Sequence, residues 1–215
     1  MDRRPPLWPD RRHAGVELGA VLRERLDDPA STIVLGLPRG GVVVAAEVAR
    51  ILGAVLDALV VRKVGVPWHP ELALGAVGGG GVRVHNDDVV RYAGLTAAQI
   101  DQAFATAEQD VADRETRLRG GGPPPELAGR QVVIVDDGLA TGATALAAVR
   151  IVRAGQPAVI VLAVPVAPPD PDPRLTSEVD DLVTLARPRR FSSVGTWYAD
   201  FTQVEDGDVR ALLRG

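Results

Sequence analysis

The residues best suited to chemistry lie together in one run of thirteen, Val132 to Thr144, with the sequence VVIVDDGLATGAT. Two adjacent carboxylates, Asp136 and Asp137, follow four apolar residues. Then come Gly138, Leu139, Ala140, Thr141, Gly142, Ala143 and Thr144, which are small residues apart from Leu139 and bring two hydroxyls. Glycine lets a backbone approach an anion closely, and threonine hydroxyls add donors. The loop therefore suits a phosphate. Carboxylates repel phosphate; they suit sugar hydroxyls, from which they accept hydrogen bonds, or a hydrated Mg²⁺. Phosphate, diol and metal side by side describe a phosphorylated ribose.

A strand and a helix must position this loop. Val132, Val133, Ile134 and Val135 run without alternation, the pattern of a strand buried on both faces in a parallel sheet. Ala145 to Val152 reads as a helix start. In an open α/β sheet, ligands bind beyond the carboxyl ends of the strands. The helix behind the loop adds unpaired N–H groups and the positive end of its dipole. Neither a G-x-G-x-x-G dinucleotide loop before the acids nor a G-K-[ST] loop is present.

A second strand, glycine loop and helix stand upstream. Thr32 to Leu37 is an apolar strand, Pro38, Arg39, Gly40 and Gly41 form its exit, and Val42 to Leu52 is an apolar helix. Arg39 can meet an anion, and the two glycines let backbone N–H groups reach it. Leu56 to Val61 reads as the next strand, with the cations Arg62 and Lys63 at its carboxyl end, pointing into the same crevice.

The stretch from Val132 to Thr144 resembles the 5-phosphoribosyl 1-pyrophosphate (PRPP) motif of the type I phosphoribosyltransferases: apolar strand, acidic pair, threonine- and glycine-containing loop. The resemblance implies that Gly138 to Thr144 grips the 5′-phosphate. Asp136 and Asp137 would hold the ribose hydroxyls and Mg²⁺, the metal through water. It also implies that Pro38, Arg39, Gly40 and Gly41 hold the pyrophosphate, often with a strained or cis peptide, for which Leu37–Pro38 is the least costly place. Arg62 or Lys63 would stabilise the leaving group. Val64 to Gly81 is rich in glycine and proline with little periodicity. The resemblance places the flexible catalytic loop at about residues 62–81, with His69 and Glu71 able to face the site when it closes. Gly78 to Gly81 reads as a hairpin turn into a strand Val82-Arg83-Val84. The pattern R-K-x-G-V-P, H-P-E-L-A and G-A-V between Arg62 and Val77 looks most like a bacterial branch of that family.

The remaining elements support this frame. Met1 to Pro9 reads as an extended arm that packs Leu7 and Trp8. Asp10 caps a helix to about Leu26, with Ala14, Leu18, Val21 and Leu22 on one face and His13 as a solvated residue. Thr96 caps a long inserted helix to Leu118, with Ile100, Phe104, Ala107, Val111 and Leu118 at helical spacing. Arg114 and Arg117 lie on its charged, salt-bridged face. Ala158 to Val164 reads as a buried strand, Leu182 to Leu185 as a short edge strand, and Val209 to Leu213 as part of a terminal helix. Trp197, Tyr198 and Phe201 are much of the scarce aromatic content. The resemblance implies a variable hood over a nitrogenous acceptor, and flat rings suit flat bases. The plain alternative is that they anchor the C-terminus to the core.

Composition bounds the function. The chain is 46% apolar and 24% charged, with a formal net charge of −4. That is ample for a core, and the pI of about 5.4 offers no nucleic-acid or anionic-membrane surface. There is no cysteine, hence no disulfide, thiolate nucleophile or Cys-type zinc site. The lack of cysteine fits a cytoplasmic protein, and no apolar signal core or bilayer-length apolar run is present. The expectation is one α/β domain over residues 1–215, doubly wound around a mostly parallel sheet. Its core spans about 30–165, and a small hood comes from the chain ends, about 1–10 and 185–215. The implied function is transfer of 5-phosphoribosyl from PRPP·Mg²⁺ to an acceptor nitrogen, with release of pyrophosphate, by a homodimer. A PRPP-sensing regulator and a hydrolase or phosphatase acting on a phosphoribosyl compound remain as alternatives.

Overall fold

A computed structural model describes residues 5–119 and 122–214, apart from the side chain of Glu71. The first four residues of the N-terminal arm, Gly120, Gly121, Gly215 and the Glu71 side chain therefore lie outside the described residues.

Five strands form a parallel sheet: β1 (Ile33–Gly36), β2 (Val55–Ala58), β6 (Gln131–Val135), β7 (Val159–Val166) and β8 (Asp181–Ala186), in the order β2-β1-β6-β7-β8. Every residue of β1 and four of five in β6 are buried, as a strand covered on both faces requires. One face carries α1 (Arg11–Arg25) and α2 (Gly40–Leu52), where Leu18, Leu22, Val44 and Val48 meet Val34, Val133 and Val135. The other carries α5 (Ala143–Ala154), where Ala148, Val149 and Val152 meet Ile134 and Leu162. The α/β, doubly wound architecture is as the sequence implies. The chain reverses its direction of travel across the sheet between β1 and β6. Their carboxyl ends flank the crevice that this topology provides for ligands.

The predicted caps are present. Asp10 accepts from the His13 backbone N–H at 2.9 Å at the start of α1. At the start of α4 (Ala97–Arg119), Thr96 Oγ1 accepts from Gln99 N and Gln99 Oε1 accepts from Thr96 N, a reciprocal box. The chain also adds α3 (Asp87–Ala93), α6 (Pro173–Glu178) and α7 (Asp206–Arg214). Among the described residues, no helix is long and apolar enough to cross a membrane.

Three expectations need correcting. Leu56 to Val61 is not one strand: β2 ends at Ala58, and Val61 begins β3 (Val61–Val66) in a separate sheet. Arg62 and Lys63 therefore do not close a parallel strand. Residues 62–81 are not an irregular loop either. They belong to an antiparallel sheet β3-β4-β5, with β4 (His69–Gly78) and β5 (Val82–His85). Its glycines hid the alternation: Val64, Val66, Leu74 and Val77 are buried against Phe104, Ala107 and Val111 of α4. The predicted Gly78–Gly81 turn into residues 82–84 is observed. Finally, in the N-terminal arm Trp8 is buried against Tyr198, but Leu7 stays exposed.

Candidate active site

β6 delivers the acid pair to the crevice. Asp136 N–H donates to Ala163 O of β7 at 3.3 Å, which fixes where the strand ends. Asp136 Oδ1 accepts from Asp137 N at 2.9 Å, and Asp137 Oδ2 accepts from Arg11 Nε at 2.8 Å. No hydrogen bond from the described residues reaches the other oxygen of either carboxylate, Asp136 Oδ2 or Asp137 Oδ1. Each acid is thus tethered by one oxygen and open at the other.

The loop behind them is fastened at two points. Leu139 N–H donates to Val166 O at 2.8 Å, burying Leu139, and Gly142 O accepts from Leu146 N at 2.8 Å. Gly142 has φ 77°, a left-handed conformation that glycine takes without steric cost, and it turns the chain into α5. Ala140, Thr141, Ala143 and Thr144 are exposed around that turn. The N–H groups of Ala140, Thr141, Gly142 and Thr144 meet no acceptor among the described residues; that of Ala143 reaches only Thr141 Oγ1 at 3.5 Å. Unpaired donors at the start of a twelve-residue helix form an anion cradle.

The loop Pro38-Arg39-Gly40-Gly41 lies directly against the acids. A Cβ at Gly40 would strike the Asp137 carboxylate and come within 2.7 Å of Arg11 Nε. One at Gly41 would stand 2.8 Å from Val135 O and 2.9 Å from Asp136 Cα. These glycines are there for closeness: no side chain fits between the two loops. The cis peptide is Pro38–Arg39, not Leu37–Pro38. Leu37 N–H continues the sheet ahead of it by donating to Val135 O at 2.8 Å. Gly40→Ala is expected to push the Asp137 carboxylate off Arg11 and to cost about 1–3 kcal/mol of stability, measured by thermal melting.

A cavity of about 100 Å³ opens beside this seam, lined in part by Pro38, Thr144, Arg62, Asp110 and Arg114. Arg62 pairs with Asp110 at 2.9 Å. Lys63, its neighbour on the strand, lines a different recess, with Leu146 and Arg150 of α5. Only Arg62 of the pair lines the cavity beside the anion loops. His69 is exposed at the tip of the β3–β4 hairpin.

Burial raises the Asp136 carboxyl well above the usual carboxylate range, and the charge of Asp137 raises it further. Burial also raises Asp137, with the hydrogen bond and charge of Arg11 opposing. Arg11 was not legible as a site residue, yet it is buried, pairs with Asp137, donates to Thr202 O at 3.0 Å and lies 3.8 Å over the Phe201 ring. Tyr198 OH donates to Asp137 O at 2.6 Å, and burial keeps that phenol protonated. Trp197 and Tyr198 are 8% and 4% exposed, so their rings anchor the tail rather than offer open faces to a base. Phe201 is 37% exposed, but Arg11 covers one face. Among the described residues no three His, Cys, Asp or Glu side chains gather to hold a metal. Two open carboxylate oxygens suit a hydrated Mg²⁺ that completes its shell from a bound ligand.

A doubly wound α/β fold with an acid pair, an anion cradle and a glycine-only seam at the strand reversal defines a phosphoribosyltransferase-type scaffold. The family profile described as phosphoribosyl transferase domain matches residues 17–187, and the chain belongs to that family. A Mycobacterium tuberculosis protein provisionally named a phosphoribosyl transferase is 49% identical over 207 residues, which are 96% of this chain and 46% of that protein. The chain therefore spans about half the length of the curated relatives it matches. The crystal structure of TT1426 from Thermus thermophilus is similar with a TM-score of 0.84 and 45% identity, covering 96% of this chain and 97% of that one. AQ2163 from Aquifex aeolicus shares the fold at a TM-score of 0.52 and 15% identity, over 88% of this chain and 85% of that one.

Proposed function

We propose that the chain transfers a 5-phosphoribosyl group from PRPP·Mg²⁺ to an acceptor nitrogen and releases pyrophosphate. The observation that carries this reading is the pair of open carboxylate oxygens, on Asp136 and Asp137, beside a loop of unpaired N–H groups. Two such oxygens match a vicinal diol, and the loop matches a terminal phosphate.

In this reading the N–H groups of Ala140 to Thr144 and the two threonine hydroxyls bind the 5′-phosphate. Asp136 and Asp137 accept from the 2′- and 3′-hydroxyls and face the ring as C1 becomes cationic. Pro38 to Gly41 and Arg62 receive the pyrophosphate as the C1–O bond breaks, its electron pair leaving with the oxygen. Mg²⁺ held by the acid pair through water would neutralise charge on the departing group. The protein's contribution is placement and charge stabilisation rather than a covalent bond.

Calorimetric titration with PRPP in magnesium buffer, followed by a mass-spectrometric product screen against nucleobases and aromatic acids, tests this. Binding followed by a phosphoribosylated product is the expected result. Pyrophosphate release with only ribose 5-phosphate formed would identify a hydrolase, binding without turnover a sensor, and absence of binding would refute the assignment.

A further inference from the structure

The start of α7 presents an unfinished arrangement of charge. Asp206 Oδ1 is buried and accepts no hydrogen bond from the described residues. It sits 4.0 Å from Arg39 NH1 and 3.9 Å from Arg114 NH2, and Glu205 Oε2 stands 3.7 Å from Arg39 NH1. Among the described residues neither guanidinium donates a hydrogen bond to any group. Two guanidiniums with their N–H donors unspent therefore flank one carboxylate that neither of them grips. A buried carboxylate oxygen without a donor is a costly state, and charge-assisted bonds of ordinary length would relieve it. The arrangement holds the charge balance without the hydrogen bonds, as a stand-in for a larger anion would.

Position says which anion. Arg39 belongs to the glycine loop at the acid pair, and Arg114 lines the cavity with Pro38, Arg62 and Thr144. Arg114 reaches there from α4, whose apolar stripe of Phe104, Ala107 and Val111 packs the antiparallel sheet. α7 is seated on the same cluster through buried Val209, with Leu212 and Leu213 beside it. The acid and the two arginines thus come from three elements packed together.

We propose that Arg114 and Arg39 form a two-arginine clamp for a pyrophosphate-class anion, and that Asp206 is the internal carboxylate occupying it until that anion arrives. The assignment of Arg114 rests on the transferase reading for its biological ligand, but not for its test. When pyrophosphate enters, its oxygens take the unspent donors and the Asp206 carboxylate withdraws toward solvent. Arg114 then touches the leaving group directly, while Asp206 acts only by competing for the arginines.

The test is calorimetric titration of inorganic pyrophosphate into the whole protein in magnesium buffer. Arg114→Met is expected to weaken binding about tenfold, the scale of one charge-assisted hydrogen bond. Asp206→Asn should act in the opposite direction and tighten binding roughly threefold or more, since a charge about 4 Å from both guanidiniums is removed. Arg117→Met, an exposed charge change on the same helix, should leave affinity within about twofold. Thermal melts identify unfolded variants, and Arg114→Lys, retaining charge without the fork, should fall between parent and Arg114→Met. Unchanged affinity in Arg114→Met, or weaker or unchanged binding in Asp206→Asn, overturns the proposal. A parent protein that binds pyrophosphate with these shifts but ignores PRPP would sustain the clamp and refute the transferase reading.

Discussion

Asp137→Ala is expected to lower turnover on PRPP by about 10²-fold or more, the usual scale for losing a group that stabilises charge in a transition state. The substitution removes one of the two carboxylates proposed to face the ribose and leaves Arg11 without its carboxylate partner, so the local field changes by a full charge. Asp137→Asn separates the loss of charge from the loss of side-chain volume. It retains the shape, and the Tyr198 contact is to the backbone carbonyl, so it survives. Because Arg11 then stays charged and nearly buried without a counter-charge, the variant should lose about 3 kcal/mol of stability and, while still folded, most of the rate. Steady-state assays with the acceptor found by the product screen measure both variants; unchanged turnover in either contradicts the role given to this residue.

Arg11→Met should be the most damaging change outside the loops. The pair it breaks has side chains 11% and 16% exposed, which leaves Asp137 nearly buried and uncompensated. Breaking such a pair costs about 3 kcal/mol, roughly 6–12 °C of melting temperature for a domain of this size. The loss depends on pH with a definite sign. Burial already raises Asp137, and Arg11 is what opposes it. Without Arg11 the folded-state carboxyl titrates still higher than the unfolded one, at about 3.9. The folded variant then holds more protons than the unfolded chain, so its stability falls as pH rises through that interval. Parent and variant should differ little below about pH 4 and most at neutral pH, as thermal melts across that range would report. A deficit independent of pH would show that Arg11 acts through packing alone.

The parts of the site legible in the sequence are those built from contiguous residues. β6, the acid pair, the turn and α5 occupy one uninterrupted stretch, and the glycines of the other loop follow their strand directly. Caps at Asp10 and Thr96 work over three residues and were equally plain. What was missed depends on distance along the chain. Arg11 and Asp137 are 126 residues apart, and no local pattern joins them. A signal did exist: Arg11 continues the stripe of Ala14, Leu18 and Leu22, so a cation stood on the buried face of α1. A charge on such a face needs a partner. The antiparallel sheet was hidden for another reason. Gly65, Gly75 and Gly78 interrupt its alternation; at Gly65, for example, a Cβ would lie 2.5 Å from Pro70 O. The end of β2 was overrun because Leu59 and Val60 are as apolar and as buried as the strand, and Leu59 N–H still donates to Gly36 O at 2.9 Å, although the chain there passes to the other sheet.

The seam at Gly40 and Gly41 has a consequence for redesign. Because backbone and carboxylate meet there without intervening side chains, the glycine loop and the acid pair cannot be mutated as independent modules. Libraries that randomise residues 38–41 or 136–137 should return mostly dead clones, whatever acceptor is selected for. Diversity is better placed where side chains already meet solvent, at the hairpin tip around Trp68 and in the tail around Phe201.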